Sequence, residues 1–127
     1  DSYHIFAAKT PLDDIDYLDP SKIFLVQLAD FMWQETKTFE ERMTTARTFR
    51  VFPGEGVHSE QLVDLVLRLD RLGYRGDYSF EVFNDDYVQM PLPFVAERAR
   101  KSALWLAEEV LRCSVPLPNQ MRLKTPG

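Results

Sequence analysis

The chain has 127 residues, 45% of them hydrophobic and 28% charged, the balance of an ordinary globular domain with enough length for a real core. Its net charge of −5 argues against a broad basic surface for nucleic acid. No run of about 18 apolar residues offers a membrane span, and no secretory signal opens the chain. The single cysteine, Cys113, cannot form an internal disulfide, which favours a reducing, cytoplasmic setting. A charged first residue leading straight into an apolar run, with no initiator Met, reads as a cut and not a natural beginning.

The apolar segment Tyr3 to Ala8 reads as the end of a strand or the start of a loop leaving one. Leu12, Ile15 and Leu18 recur at three-residue spacing between Pro11 and Pro20, which predicts a short helical or turn segment. Ile23-Phe24-Leu25-Val26 is a continuous run suited to a strand buried on both faces, as in a parallel sheet. Ala29 to His58 shows no sustained periodicity and reads as a long loop, of the kind that usually carries function. It ends in Arg50-Val51-Phe52-Pro53-Gly54-Glu55-Gly56, where Pro and two Gly enforce a tight turn.

Ser59 then predicts the N-cap of a helix bearing Leu62, Val63, Leu65, Val66, Leu69 and Leu72, with Gly73 as its left-handed stop. Tyr78 to Phe83 is a second buried-strand candidate. Pro93 suits the first position of a long helix whose inner face carries Val95, Ala99, Ser102, Ala103, Leu106, Ala107, Val110 and Leu111. Residues 114–127 hold three prolines and read as a tail on the surface or in disorder. Alternating strands and helices of this kind mean parallel βαβ units, in numbers too small to close a sheet on itself.

Two strand candidates carry a polar residue that a core would not choose: Gln27 after the first, Glu81 inside the second. Burying an unpaired carboxylate costs several kcal/mol, so Glu81 needs a cation or a hydrogen-bond partner. A structural pairing of Glu81 with an arginine such as Arg50, and of Gln27 with backbone, would satisfy that need. A shared ion would satisfy it too, because active sites of parallel α/β folds lie at the C-terminal ends of strands. Asp1 and His4 fall at the equivalent end of the first strand. Oxygen donors from Asp1, Gln27 and Glu81 suit Mg²⁺ or Mn²⁺ better than a structural zinc. His4 reads equally as ligand, general base or plain loop histidine. His58 reads as a surface residue, and Asp30, Asp85 and Asp86 as loop and capping residues. Trp33, Phe39 and Phe49 read as lid or packing.

Asp1-Ser2-Tyr3-His4, Val26-Gln27-Leu28-Ala29-Asp30, the Arg50 to Gly56 turn, Gly73-Tyr74-Arg75-Gly76 and Ser79-Phe80-Glu81-Val82-Phe83-Asn84 occur in this order. The set resembles the xylose-isomerase-like TIM-barrel superfamily of sugar isomerases, epimerases and lyases, and within it the 3-dehydroshikimate dehydratases. The resemblance implies an α/β fold in which residues 1–113 form the last three βα units, with parallel strands, of a (β/α)₈ barrel, a fold of roughly 250 residues in full. It implies one divalent ion, Mg²⁺ or Mn²⁺ first and Co²⁺ or Zn²⁺ next, held by Asp1, Gln27 and Glu81, with a further Glu on a strand ahead of Asp1.

By the same resemblance His4 contacts substrate and moves a proton, and Glu81 is ligand and second proton carrier. Arg50 grips a substrate carboxylate by a forked pair of hydrogen bonds. A family serine four residues before that arginine is Ala46 here, which removes one substrate hydrogen bond. The implied activity is dehydration of 3-dehydroshikimate to protocatechuate. A sugar isomerase or epimerase, and a non-catalytic fragment serving binding or assembly, are the alternatives. The partners implied are a polyhydroxy keto-acid or sugar and the remainder of the barrel. A homo-oligomer is compatible; nucleic acid and membrane are not expected.

Overall fold

The computed structural model describes residues 1–113, so the predicted tail lies outside the described residues. Helix α1, Ser2–Ala7, opens the fold. Two 3₁₀ turns follow, Leu12–Tyr17 and Pro20–Lys22, and lead into strand β1, Val26–Leu28. Helix α2, Phe39–Thr48, and helix α3, Ser59–Leu72, precede strand β2, Tyr78–Phe80. Helix α4, Asp85–Gln89, and helix α5, Leu92–Leu104, complete the order, and α5 runs on into a π-helical stretch, Trp105–Val110. The two strands pair in parallel, Val26 opposite Tyr78, Gln27 opposite Ser79 and Leu28 opposite Phe80. Parallel strands separated by helices, in a sheet that does not close, are the expected unclosed segment of a (β/α) barrel.

Four predicted elements differ from those observed, one of them the second strand, which spans only Tyr78–Phe80 of the expected Tyr78 to Phe83 and is half-buried. The Tyr3 to Ala8 run is helix, not strand end: Tyr3, Phe6 and Ala7 share one buried face at helical spacing, and the Asp1 carboxylate accepts from the Tyr3 N–H at 3.0 Å to cap the first turn. A short apolar run is ambiguous between the two states, and the cap decides it. The long loop contains α2, started by Thr38, whose hydroxyl accepts from the Glu41 N–H at 3.0 Å. Its helical period was hidden because α2 buries only Thr45 and Ala46. The first strand begins at Val26, leaving Phe24 87% exposed in place of the predicted two-faced burial.

The core lies between the sheet and its helices. Val26 and Leu28 point from β1 towards α3, whose Leu62, Leu65, Val66 and Leu69 are all buried. Leu106 closes this layer from the end of the α5 segment, and Tyr3, Phe6 and Phe31 extend it towards α1. Gly73 ends α3 at φ 102°, the left-handed stop that the sequence predicts. His58, not Ser59, is the α3 cap residue; Ser59 is the first helical position and donates from its hydroxyl to the Gly56 carbonyl at 3.3 Å.

His58 is no surface residue. It is 3% exposed, lies 4.1 Å from the Phe31 ring centre and stacks on Phe6 at 5.6 Å. Its Nδ1 meets the Asp30 carboxylate at 2.7 Å, and its Nε2 faces the Gln34 carbonyl at 3.2 Å. Asp30 is fully buried in the loop after β1 and also accepts from the N–H groups of Phe31 and His58, though α3 has no side-chain cap hydrogen bond. Its main chain bridges Val51 in both directions, at 2.9 and 2.8 Å. This one aspartate therefore pins the Arg50 to Gly56 turn and the start of α3 onto the end of β1.

Gly56 fits against the clamp only because it lacks a side chain. A Cβ there would lie 2.3 Å from the Asp30 carboxyl carbon and 2.6 Å from the Phe31 carbonyl oxygen. Gly56→Ala should cost about 3 kcal/mol, the upper range for overpacking, read as a lower urea midpoint at unchanged slope. Asp30→Ala strands three buried donors and should cost about 3–5 kcal/mol by the same measurement. A loss under about 1 kcal/mol would remove the clamp from this account.

Candidate functional site

Side chains alternate across a strand, so Gln27 lies on the face opposite Val26 and Leu28, away from α3. Ser79 is its partner in register, and Glu81 is two residues further on the same face of the second chain segment. The Glu81 N–H donates to the Leu28 carbonyl at 3.3 Å, which carries the parallel ladder one step past β2. Gln27 and Glu81 thus share the inner face near the C-terminal ends of their strands. Both are half-buried, and among the described residues neither side chain has a hydrogen-bond partner.

Asp1 sits differently. One carboxylate oxygen caps α1, and the other accepts from Arg50 Nη1 at 2.9 Å in an ion pair that is nearly closed to solvent. Arg50 is 4% exposed. Its Nε donates to the Ala46 carbonyl at 2.7 Å, its Nη1 also reaches the Glu81 carbonyl at 3.2 Å, and its guanidinium lies 4.7 Å over the Tyr3 ring. Burial lowers the Arg50 pKa and the Glu81 charge opposes that shift, leaving the guanidinium a full cation. The predicted structural pairing of Arg50 with Glu81 is thus a main-chain contact, and the carboxylate it pairs with belongs to Asp1. Ala46 is buried and offers the site its carbonyl oxygen.

The predicted forked grip on a substrate carboxylate is not available as Arg50 stands. A fork needs two donors along one edge of the guanidinium. Nε and Nη1 are both engaged within the protein, and Nη2 alone has no partner among the described residues.

His4 is half exposed, packs edge-on to Tyr3 and places Nε2 3.8 Å from the Asp1 carboxylate, beyond direct hydrogen bonding. Burial, then the Arg50 charge, lowers its pKa from the ordinary histidine value. The neutral ring so favoured is able to accept a proton.

Among the described residues, no three His, Cys, Asp or Glu side chains converge as a metal-binding group. The expected set has two carboxylates and an amide, and its chemistry fits a hard divalent ion. Glu81 and Gln27 offer unpartnered oxygens on one face; the Asp1 carboxylate is already engaged by a cation. Sequence reading missed Tyr3 and Asn84. Tyr3 supports Arg50 and donates to the Arg42 carbonyl at 2.6 Å. Asn84 donates to the Arg50 carbonyl at 2.8 Å while capping α4. An Asn immediately before an acidic first turn, Asp85-Asp86, is a capping signal that could have exposed the second of these. Trp33 and Phe49 pack edge to face at 5.8 Å, whereas Phe39 is 75% exposed.

No family model matches the chain. It is 32% identical over 109 residues to a 3-dehydroshikimate dehydratase of Pseudomonas putida and 34% identical over 109 residues to one of Pseudomonas aeruginosa. Each alignment covers 86% of this chain but only 16% of the relative. An inosose isomerase of Halalkalibacterium halodurans is 31% identical over 112 residues, covering 87% of this chain and 35% of that protein. Among solved structures, the IolI protein with a bound zinc atom superimposes with a TM-score of 0.69 at 22% identity, over 86% of this chain and 36% of its own. That likeness fixes the fold as a barrel segment. The chain has the fold of a partial (β/α) barrel and is similar in sequence to two 3-dehydroshikimate dehydratases and to an inosose isomerase, of which it spans 16% and 35% of the length.

Proposed function

We propose that this chain contributes the C-terminal part of the active site of a metal-dependent lyase that dehydrates 3-dehydroshikimate to protocatechuate. The observation that carries the reading is the pair Gln27 and Glu81, unpartnered oxygens on one face of a parallel strand pair, with Arg50 tying the Asp1 carboxylate to the Glu81 main chain. The 32% and 34% identities to two dehydratases support the choice of substrate. Because the chain spans 16% of those relatives, the substrate and the rest of the barrel are part of the proposal.

Asp1, Gln27 and Glu81 would hold the ion, and a zinc-bearing neighbour of the same fold adds Zn²⁺ to the Mg²⁺ and Mn²⁺ that the oxygen donors favour. When bound, such an ion polarises a carbonyl oxygen and spreads the charge that develops there. The residues of this chain do the rest. Neutral His4 takes the proton from the carbon beside the carbonyl. The electron pair left on that carbon expels the neighbouring hydroxyl, and a proton returned from His4 lets it depart as water. Arg50 Nη2 meets the substrate carboxylate with a single charged hydrogen bond. Loss of water and subsequent enolisation give an aromatic ring, which supplies the driving force.

A ketose isomerase or epimerase is the second reading, favoured by the inosose isomerase relative. It begins with the same proton abstraction, so ligands do not separate the two. Incubation with 3-dehydroshikimate should raise the absorbance of protocatechuate; turnover of a ketose with none of that product would defeat the dehydratase reading. His4→Gln should lower kcat by about 10²–10⁴-fold while leaving metal content intact. Glu81→Ala should abolish divalent-ion binding in calorimetric titration. Unchanged binding there would leave a non-catalytic barrel module as the better account.

A further inference from the structure

Resting on the metal reading above, we propose that Arg50 is a positioning residue that sets the spacing of Asp1 and Glu81 before any ion arrives. Its contacts are with the two carboxylate-bearing segments themselves. The side chain holds the Asp1 carboxylate at 2.9 Å and the Glu81 carbonyl at 3.2 Å through the same nitrogen, Nη1. The main chain adds two more links to the segment after β2: the Arg50 N–H donates to the Phe83 carbonyl at 3.0 Å, and the Arg50 carbonyl accepts from Asn84 at 2.8 Å.

Arg50 is itself held from below. Nε is fixed by the Ala46 carbonyl, and the flat cation lies over the Tyr3 ring at 4.7 Å and the Phe83 ring at 5.4 Å. Among the described residues Asp1 has no other hydrogen bond to the β2 side of the site, because its second oxygen only caps α1. One buried guanidinium therefore joins two proposed ligands that come from elements 80 positions apart in sequence order. Two carboxylates brought towards one point repel, and a fixed cation touching one and lying beside the other relieves that repulsion. Residues behind metal ligands typically matter by about 10–100-fold in affinity.

The experiment is a Mn²⁺ titration of the metal-stripped protein by calorimetry, comparing wild type with Arg50→Met, Arg50→Lys and Asn84→Ala, with circular dichroism as the check on folding. Arg50→Met should weaken Mn²⁺ binding by about 10-fold or more. Arg50→Lys, which keeps charge but not both contacts, should restore part of that loss. Asn84→Ala should weaken binding by less and in the same direction. Wild-type Mn²⁺ affinity in Arg50→Met, with KM for the carboxylate substrate raised alone, would overturn the proposal and leave Arg50 as a substrate contact. If Arg50→Met fails to fold, wild-type affinity in both Arg50→Lys and Asn84→Ala overturns it equally. A wild type that binds no Mn²⁺ defeats the metal reading itself, whereas a binding wild type with an unaffected Arg50→Met defeats only the positioning role.

Discussion

The Arg50 guanidinium is a full positive charge held almost out of water, and the arrangement of the site follows from what it takes to keep it there. A buried cation must recover its lost hydration from hydrogen bonds of good geometry. Arg50 recovers it from the Ala46 carbonyl at the end of α2, the Glu81 carbonyl beyond β2 and the Asp1 carboxylate at the start of α1. Three elements distant in sequence are thereby fixed to one planar group, and aromatic rings from Tyr3 and Phe83 complete its surroundings. Nothing else in the described residues joins so many parts of the inner face.

Behind this lies the second buried pair, Asp30 with His58. It works on the opposite side of the same turn: Asp30 bridges Val51, the neighbour of Arg50, and collects both the main chain and the ring of His58. The short segment from Arg50 to His58 is therefore gripped at both ends, which explains how a loop with three turn-forming residues can hold a cation in one place. Glu55 adds a third grip through Tyr87 at 2.8 Å and Arg98 at 2.8 Å, linking the turn to α4 and α5. Packing against α3 supplies the stability that these polar contacts shape.

How much of this could be read from the residues alone depends on the kind of signal each part sends. α3 was legible because its leucines and valines keep a strict helical period and Gly73 stops it. The parallel strands were legible only in place and not in extent, since the apolar run Ile23 to Val26 meets β1 at Val26 alone, while Gln27 and Glu81 stood out because polar groups beside such runs need a reason. α2 was not, since it rests on the fold by only two small residues. α1 was misread because six apolar and polar residues fit either state until the Asp1 cap is seen. The burial of His58, read as a surface residue, and the pairing of Arg50 with Asp1 were not legible for a shared cause: sequence shows which residues can be charged, but the partner that allows a ring or a charge to be buried lies 28 and 49 positions away.

The close approach of Gly56 to Asp30 ties the fate of two positions together across the fold. The carboxylate occupies the volume that any side chain at 56 would need, while His58 depends on that carboxylate for a partner. Shrinking residue 30 would not by itself make room at 56, because the Phe31 main-chain carbonyl also stands 2.6 Å from a Cβ there, and it would strand the histidine. Among descendants of this sequence glycine should persist at 56 whatever happens at 30, Asp30 and His58 should change together, and the exposed residues of α3 between the turn and Gly73 should vary independently of them.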